Sequence, residues 1–184
     1  MRIISGEFKS RHLSFPKSKK TRPMTDRAKE TIFNILGETV IKTKVLDLFA
    51  GSGSLGLEAL SRGASHVTFV ENGAWAEKSL LANLKTLNLQ SKAVFLRQDV
   101  IRVLEKLQNG SETFSLIFLD PPYNQGLVKK ILNLLDQSDI VSPLTQLIVH
   151  RSRQERLPET LGKLKVLREK QIGQACLSFL SGGK

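Results

Sequence analysis

Cysteine is almost absent from this chain. Cys176 has no partner within the 184 residues, so no intrachain disulfide can form and a reducing, cytoplasmic setting is expected. Histidine is nearly as sparse: His12, His66 and His150 stand singly, without the spacing of metal ligands, and no metal site is expected. Long apolar runs are missing too. The opening residues Met1-Arg2-Ile3-Ile4-Ser5-Gly6-Glu7 hold no stretch long enough for a signal peptide. Nothing later approaches the roughly 20 apolar residues of a membrane span, so no membrane partner is expected. The length suits one domain, and no internal repeat or low-complexity segment divides it.

Acidic residues are also few, 17 against 28 Lys and Arg, giving a net charge of +11. The excess is not spread evenly. Residues 1–44 carry 11 basic and 4 acidic side chains, residues 45–140 carry 9 and 10, and residues 141–184 carry 8 and 3. The middle is therefore near neutral, while Lys9, Arg11, Lys17, Lys19, Lys20 and Arg22 crowd one short stretch near the start. Such a cluster suits phosphate binding, although a merely solvated basic arm would look the same.

Two motifs carry the chemistry. Val45-Leu46-Asp47-Leu48-Phe49-Ala50 reads as a buried strand, and Gly51-Ser52-Gly53-Ser54-Leu55-Gly56 follows it directly, ahead of a helical stretch through Leu57-Glu58-Ala59-Leu60. A strand, glycine turn and helix start offer free N–H groups to a ligand's polar tail. Glu71, ending the next strand-like run, has the spacing to accept from ribose hydroxyls, which also fits a nicotinamide-binding fold. Asp47 bears on that choice, because an ionised carboxylate inside a buried strand needs a partner. The cationic amino acid end of S-adenosylmethionine suits it, whereas a pyrophosphate would be repelled. Asp47 accepting N–H groups of its own glycine loop is the structural alternative, and both roles can hold together.

The second motif is Asp120-Pro121-Pro122-Tyr123, set directly after the apolar run Phe114-Ser115-Leu116-Ile117-Phe118-Leu119. Two prolines cannot donate ladder hydrogen bonds, so the strand ends and a loop begins at Asp120. An acid, a locked backbone and an aromatic ring at a strand's carboxyl end suit holding a planar amino group for attack. The Asp120 carboxylate and the Pro121 carbonyl can each take one N–H while Tyr123 stacks on the base.

Together with Glu71 these segments resemble S-adenosylmethionine-dependent amino methyltransferases. A narrower likeness is carried by Arg2-Ile3-Ile4-x-Gly6, Arg22-Pro23-x-Thr25-Asp26-Arg27, Glu30-Thr31-x-Phe33-Asn34, the run from Leu55 to Arg62, and Arg168-Glu169-Lys170-x-x-Gly173-Gln174. These resemble the RsmD family of bacterial 16S rRNA guanine-N2 methyltransferases, from the first residues to the last hairpin. The chain departs from the family pattern at Ser5, Met24 and Arg151, and its last strand lacks tyrosines.

The resemblance implies that Asp47, Phe49, Gly51 and Gly53 surround the methionine end of S-adenosylmethionine while Glu71 takes the ribose. Asp99 is placed for the adenine amino group, though an N-cap role for it reads equally well. Thr25 and Arg22 would help close the pocket, and Trp75 reads as packing. Arg2, Lys9, Arg11, Lys19, Lys20 and Arg22 are the candidate RNA contacts. The expected partner is 16S rRNA or a small ribosomal subunit assembly particle, and a monomer is expected. An adenine-N6 methyltransferase, a nicotinamide-dependent oxidoreductase and an RNA-binding module without chemistry stay open as alternatives.

The order of elements leads to a fold. Residues 1–24 read as a basic hairpin and connector, and residues 25–184 as the catalytic core, beginning with a helix capped by Thr25 or Asp26 and ending near Gly37. Strands at 45–50, 66–71, 93–97, 114–119 and 144–150 alternate with helices such as 74–87 and 125–135, which implies a doubly wound parallel sheet. Segments 164–170 and 175–180 read as a closing hairpin. In the resembled class, the Rossmann-like class I S-adenosylmethionine-dependent methyltransferases, this gives an α/β fold with a seven-stranded, mostly parallel sheet.

Overall fold

The computed structural model describes residues 1–15, 24–108, 110 and 112–183. Five parallel strands alternate with helices: β1 (Lys44–Leu48), β2 (His66–Val70), β3 (Ala93–Leu96), β4 (Leu116–Leu119) and β5 (Gln146–Ser152). The hairpin of β6 (Leu164–Ile172) and β7 (Ala175–Gly182) completes a seven-stranded sheet in the order β3-β2-β1-β4-β5-β7-β6, with β7 antiparallel to both neighbours. The strand order reverses between β1 and β4. In open α/β sheets the crevice beyond the carboxyl ends at that reversal is where ligands bind.

The alternation of side chains along the strands builds a core on each face of the sheet. Val45, Val67, Phe69, Leu116 and Phe118 pack with residues of α1 (Asp26–Leu36), α2 (Ser54–Ser61) and α3 (Ala74–Thr86). Leu46, Leu48, Ile117 and Leu119 pack with α4 (Val100–Leu107) and α5 (Leu127–Asp136). Helix α2 lies unusually close to the sheet. A Cβ on Gly56 would come within 2.3 Å of the Phe69 ring, so a glycine is required there.

The elements fall close to their expected places, with local shifts that have physical causes. β1 stops at Leu48 because Phe49 takes a positive φ of 62°, turning the chain into the glycine loop. β5 begins at Gln146 rather than at Leu144: a turn from Ser142 to Thr145 precedes it, closed by a 3.0 Å backbone bond and by the Thr145 hydroxyl donating to the Phe114 carbonyl. It continues through Ser152 because β7 pairs with it that far. The departure at Arg151 is compensated across the hairpin. Its buried guanidinium meets Glu169 at 2.5 Å and donates to Ser178 at 3.1 Å, and bonds from Ser178 and then from Arg151 hold the Glu169 carboxyl below its usual range.

The expected N-terminal hairpin is present as a short, irregular one, paired at the antiparallel bridge from Arg2 to His12 and otherwise built of turns. Its two arms bond each other where Ile3 donates to Arg11, Ser10 to Ile3 and Leu13 to Met1, at 2.9–3.0 Å, while α2 satisfies the backbone of the turn between them. Buried Glu58 accepts from the Ile4 and Ser5 N–H groups at 2.7 and 3.0 Å, and from Arg62 at 2.8 Å. Ser61 accepts from the Phe8 N–H and donates to the Ser5 carbonyl. Lys29, equally buried, sits 3.5 Å from Glu58 and donates to the Arg2 carbonyl; burial pushes its amine below the usual lysine range against the pull of Glu58. This polar cluster fastens the first residues to the core.

Candidate active site

Strand register brings the motifs together. Leu48 pairs with Val70 on one side and with Leu119 on the other, so the next residues, Phe49, Glu71 and Asp120, leave the sheet side by side. Phe49 begins the glycine turn in a left-handed conformation that a bulky side chain rarely adopts, a strain of order 1–3 kcal/mol that is typical of functional loops. Gly53, at φ 85°, then caps α2, and a side chain there would collide with Leu80 at 2.4 Å.

Glu71 ties the turn to β2. One carboxylate oxygen accepts from the Gly51 N–H at 3.2 Å and the other from the Gly73 N–H at 2.8 Å. A carboxylate has about four acceptor positions, so capacity for hydroxyl donors remains after these two bonds. Asp47 lies beneath the turn, 1% exposed, and accepts from the Gly56 N–H at 2.9 Å. This is the self-stabilising bond expected as the structural alternative. Burial pushes its carboxyl up to about 8; the Gly56 bond works against that, and the charges of Asp120 and Glu71 add to it.

Asp120 opens the Pro-Pro loop at the end of β4, with Pro121 buried and the Tyr123 residue 39% exposed. Oδ1 of Asp120 lies 2.7 Å from Nδ1 of His150, and the Tyr123 hydroxyl lies 3.0 Å from Nε2 of the same ring. His150 was not among the residues expected here. Its signal was indirect: Leu119 pairs with Val149, so the residue after each must be adjacent, but that requires knowing that β5 lies beside β4.

The other expected site residues are placed more variously. Asp99 is the N-cap of α4, where Oδ1 accepts from the Ile101 and Arg102 N–H groups at 3.0 and 3.3 Å, leaving Oδ2 uncommitted. Thr25 caps α1 by accepting from Ala28 at 3.1 Å. Trp75 packs at the surface, against Gly73 and the glycine turn, and not within either core. It is 36% exposed, and its ring approaches the glycine turn, 3.7 Å from where a Gly51 side chain would begin. Lys9 and Arg11 are exposed, and Arg2 is exposed while pairing with Asp26 at 3.2 Å. Lys19, Lys20 and Arg22 lie outside the described residues.

Three carboxylates thus surround a backbone turn. The groups that fit such a cradle are cationic or carry hydroxyl donors; a pyrophosphate would face the charges of Glu71 and Asp120, and only a cation would favour ionising Asp47 beneath them. The site's charge therefore separates the two cofactors that the glycines alone could not.

Comparison with known proteins agrees with this geometry. The family model described as conserved hypothetical protein 95 matches residues 1–181. A Bacillus subtilis relative, provisionally described as an rRNA methyltransferase, YlbH, is 41% identical over 173 residues, covering 94% of each chain. Ribosomal RNA small subunit methyltransferase D of Escherichia coli is 36% identical over 174 residues, covering 95% of this chain and 86% of its own. A solved Escherichia coli structure, provisionally described as the methyltransferase yhhF, superposes with a TM-score of 0.86 at 32% identity, covering 100% of this chain and 98% of the other.

Proposed function

The chain belongs to the conserved hypothetical protein 95 family, and we propose that it methylates the exocyclic N2 amino group of a guanine in 16S rRNA, with S-adenosylmethionine as donor. The observation that carries this reading is the placement of the Asp120 loop beside the acid-lined glycine turn, at the strand reversal of the sheet. The relatives described as rRNA methyltransferases supply the substrate class.

When bound, S-adenosylmethionine supplies a methyl group on a sulfonium, ready for in-line displacement. Asp47, Phe49, Gly51 and Gly53 would surround its amino acid end, and Glu71 its ribose. The uncommitted Oδ2 of Asp99 suits an adenine amino group. Thr25, at the start of α1, would help close the pocket.

On the substrate side, the lone pair of a base amino group is delocalised into the ring and must be turned toward the methyl. Asp120 takes one N–H and the Pro121 carbonyl the other, which aims the lone pair without any covalent intermediate. Tyr123 stacks on the base and offsets roughly 1–3 kcal/mol of the cost of unstacking it. Arg2, Lys9 and Arg11, with Lys19, Lys20 and Arg22, would hold the phosphates. Residues 1–184 would work as one methyltransferase unit and as a monomer, in the cytoplasm. Among the described residues no helix is long and apolar enough to cross a membrane.

The test is incubation with labelled S-adenosylmethionine and either free 16S rRNA or small-subunit assembly particles, followed by nucleoside analysis. Labelled N2-methylguanosine is the expected product. N6-methyladenosine would replace the base assignment, and absence of transfer to any RNA would overturn the reading.

A further inference from the structure

We propose that His150 is a positioning residue for methyl transfer, orienting Asp120 and Tyr123 together through its two ring nitrogens. The proposal rests on the reading of the Asp120 loop as the cradle of the amino group. His150 is buried at 8% exposure near the end of β5, in line with the end of β4. Its partners come from a loop about thirty residues earlier: Asp120 Oδ1 at 2.7 Å from Nδ1, and the Tyr123 hydroxyl nearer Nε2, at 3.0 Å, than Nδ1, at 3.4 Å, with the Tyr123 and His150 rings 5.5 Å apart at 66°.

In the neutral imidazole the bond to Asp120 fixes which ring nitrogen carries the hydrogen. A carboxylate can only accept, so Nδ1 donates to Asp120; a neutral imidazole then presents Nε2 as an acceptor, and the Tyr123 hydroxyl donates to it. This is the less common tautomer of a free imidazole, selected here by the two partners. The consequence for Asp120 is specific. An unrestrained carboxylate rotates about its terminal bond and presents either oxygen, whereas a 2.7 Å bond to Oδ1 fixes the rotation. Oδ2 has no hydrogen-bond partner among the described residues and is left for one amino hydrogen of the base. For Tyr123, the same ring anchors the hydroxyl of a side chain that leaves a loop of two prolines. One buried residue thus sets both the acceptor and the aromatic ring that the base must meet.

A buried histidine that only satisfies its neighbours would show the same distances, so the test separates stability from turnover. His150→Ala should lower kcat about 10- to 100-fold, the scale of a small misplacement of reacting groups, with KM for S-adenosylmethionine unchanged. Among the described residues, the side-chain hydrogen bonds of His150 reach only Asp120 and Tyr123, not the glycine turn. His150→Asn places an amide N–H where Nδ1 stands and should recover most of that loss. The remaining severalfold deficit should match that of Tyr123→Phe, and combining Tyr123→Phe with His150→Asn should add nothing.

A second measurement does not depend on the variants folding. Nitrogen-15 NMR of histidine-labelled wild-type protein, without RNA or cofactor, should show His150 protonated at Nδ1 and unprotonated at Nε2. Wild-type kcat in a folded His150→Ala protein, or protonation at Nε2 alone, would overturn the proposal while leaving the function intact. Full activity in Asp120→Ala would instead remove the cradle itself, and the role of His150 with it.

Discussion

Replacing Asp47 by Asn should stabilise the ligand-free protein, and by an amount that grows with pH. In the unfolded chain this carboxyl ionises near 3.8; in the fold, burial above all keeps it protonated up to about 8. Because the folded value is the raised one, the stability tied to the bound proton is complete below 3.8. It drains away as pH rises and is fully lost above about 8. At about 1.4 kcal/mol for each pH unit across that gap, the loss is on the order of 5 kcal/mol, comparable with the net stability of a domain. The amide keeps the shape, still offers an oxygen to the Gly56 N–H, and does not titrate.

Urea unfolding of both proteins from about pH 5 to about pH 8.5 measures the effect: the stability difference should widen from roughly 1–2 kcal/mol to about 5 kcal/mol. Parallel curves would show that Asp47 titrates normally and would refute the argument. The functional counterpart has the opposite sign. Binding of S-adenosylhomocysteine, whose ammonium favours the carboxylate, should release a proton below about pH 8 and tighten by up to tenfold per pH unit. Calorimetry in buffers of different ionisation heat counts that proton, and the amide variant should bind weakly and release none.

Three further outcomes are expected. Asp120→Ala should lose about 10²–10³ in turnover, equivalent to one transition-state hydrogen bond of roughly 2.7–4 kcal/mol, with S-adenosylhomocysteine affinity nearly unchanged by calorimetry; near-normal turnover would exclude Asp120 from the mechanism. Trp75 is the single tryptophan and borders the Gly51 turn, so its fluorescence should change in a saturable way on adding S-adenosylhomocysteine and not on adding NAD. RNA affinity should fall with salt at a slope of roughly −0.7 per phosphate contacted on a single strand. Replacing Lys19, Lys20 and Arg22 should flatten that slope and leave the methylated atom unchanged.

What could be read from the sequence was what local chemistry dictates. The Gly51 turn, the loop at Asp120 and the caps at Thr25 and Asp99 each depend on residues adjacent in the chain, and each is in place. What could not be read depends on distant partners. Glu58 looks like an ordinary helix residue until Lys29, Ile4 and Ser5 are brought to it across the fold. Asn83 is similar: it bonds the backbone of Ser14, 69 residues away, and the carbonyl of Ser52. His150 belongs with these, since its role appears only when β5 is laid beside β4. The first residues were legible in part for the same reason. Their alternation reads as a hairpin, and the two arms do pair around Arg2 and His12, but nothing in the local sequence signals that α2 binds the turn between them.

The placement of charge links these features. A protein of net charge +11 has gathered Asp47, Glu71 and Asp120 at the ends of three neighbouring strands, close enough for the last two to raise the carboxyl of the first. Grouping acidic side chains in one crevice opposes folding, as do a left-handed Phe49 and a buried carboxyl that resists ionisation. Those costs fall at one place and serve one arrangement. A cationic donor is drawn toward the crevice, while the phosphates of a nucleic acid are attracted to the basic ends of the chain and repelled from the crevice itself. A neutral base, freed from its stack, is the part of an RNA that can enter. On the proposed reading the segregation would orient the substrate before any base-specific contact is made: basic residues at the ends would hold the backbone, and the acidic centre would admit an amino group to Asp120.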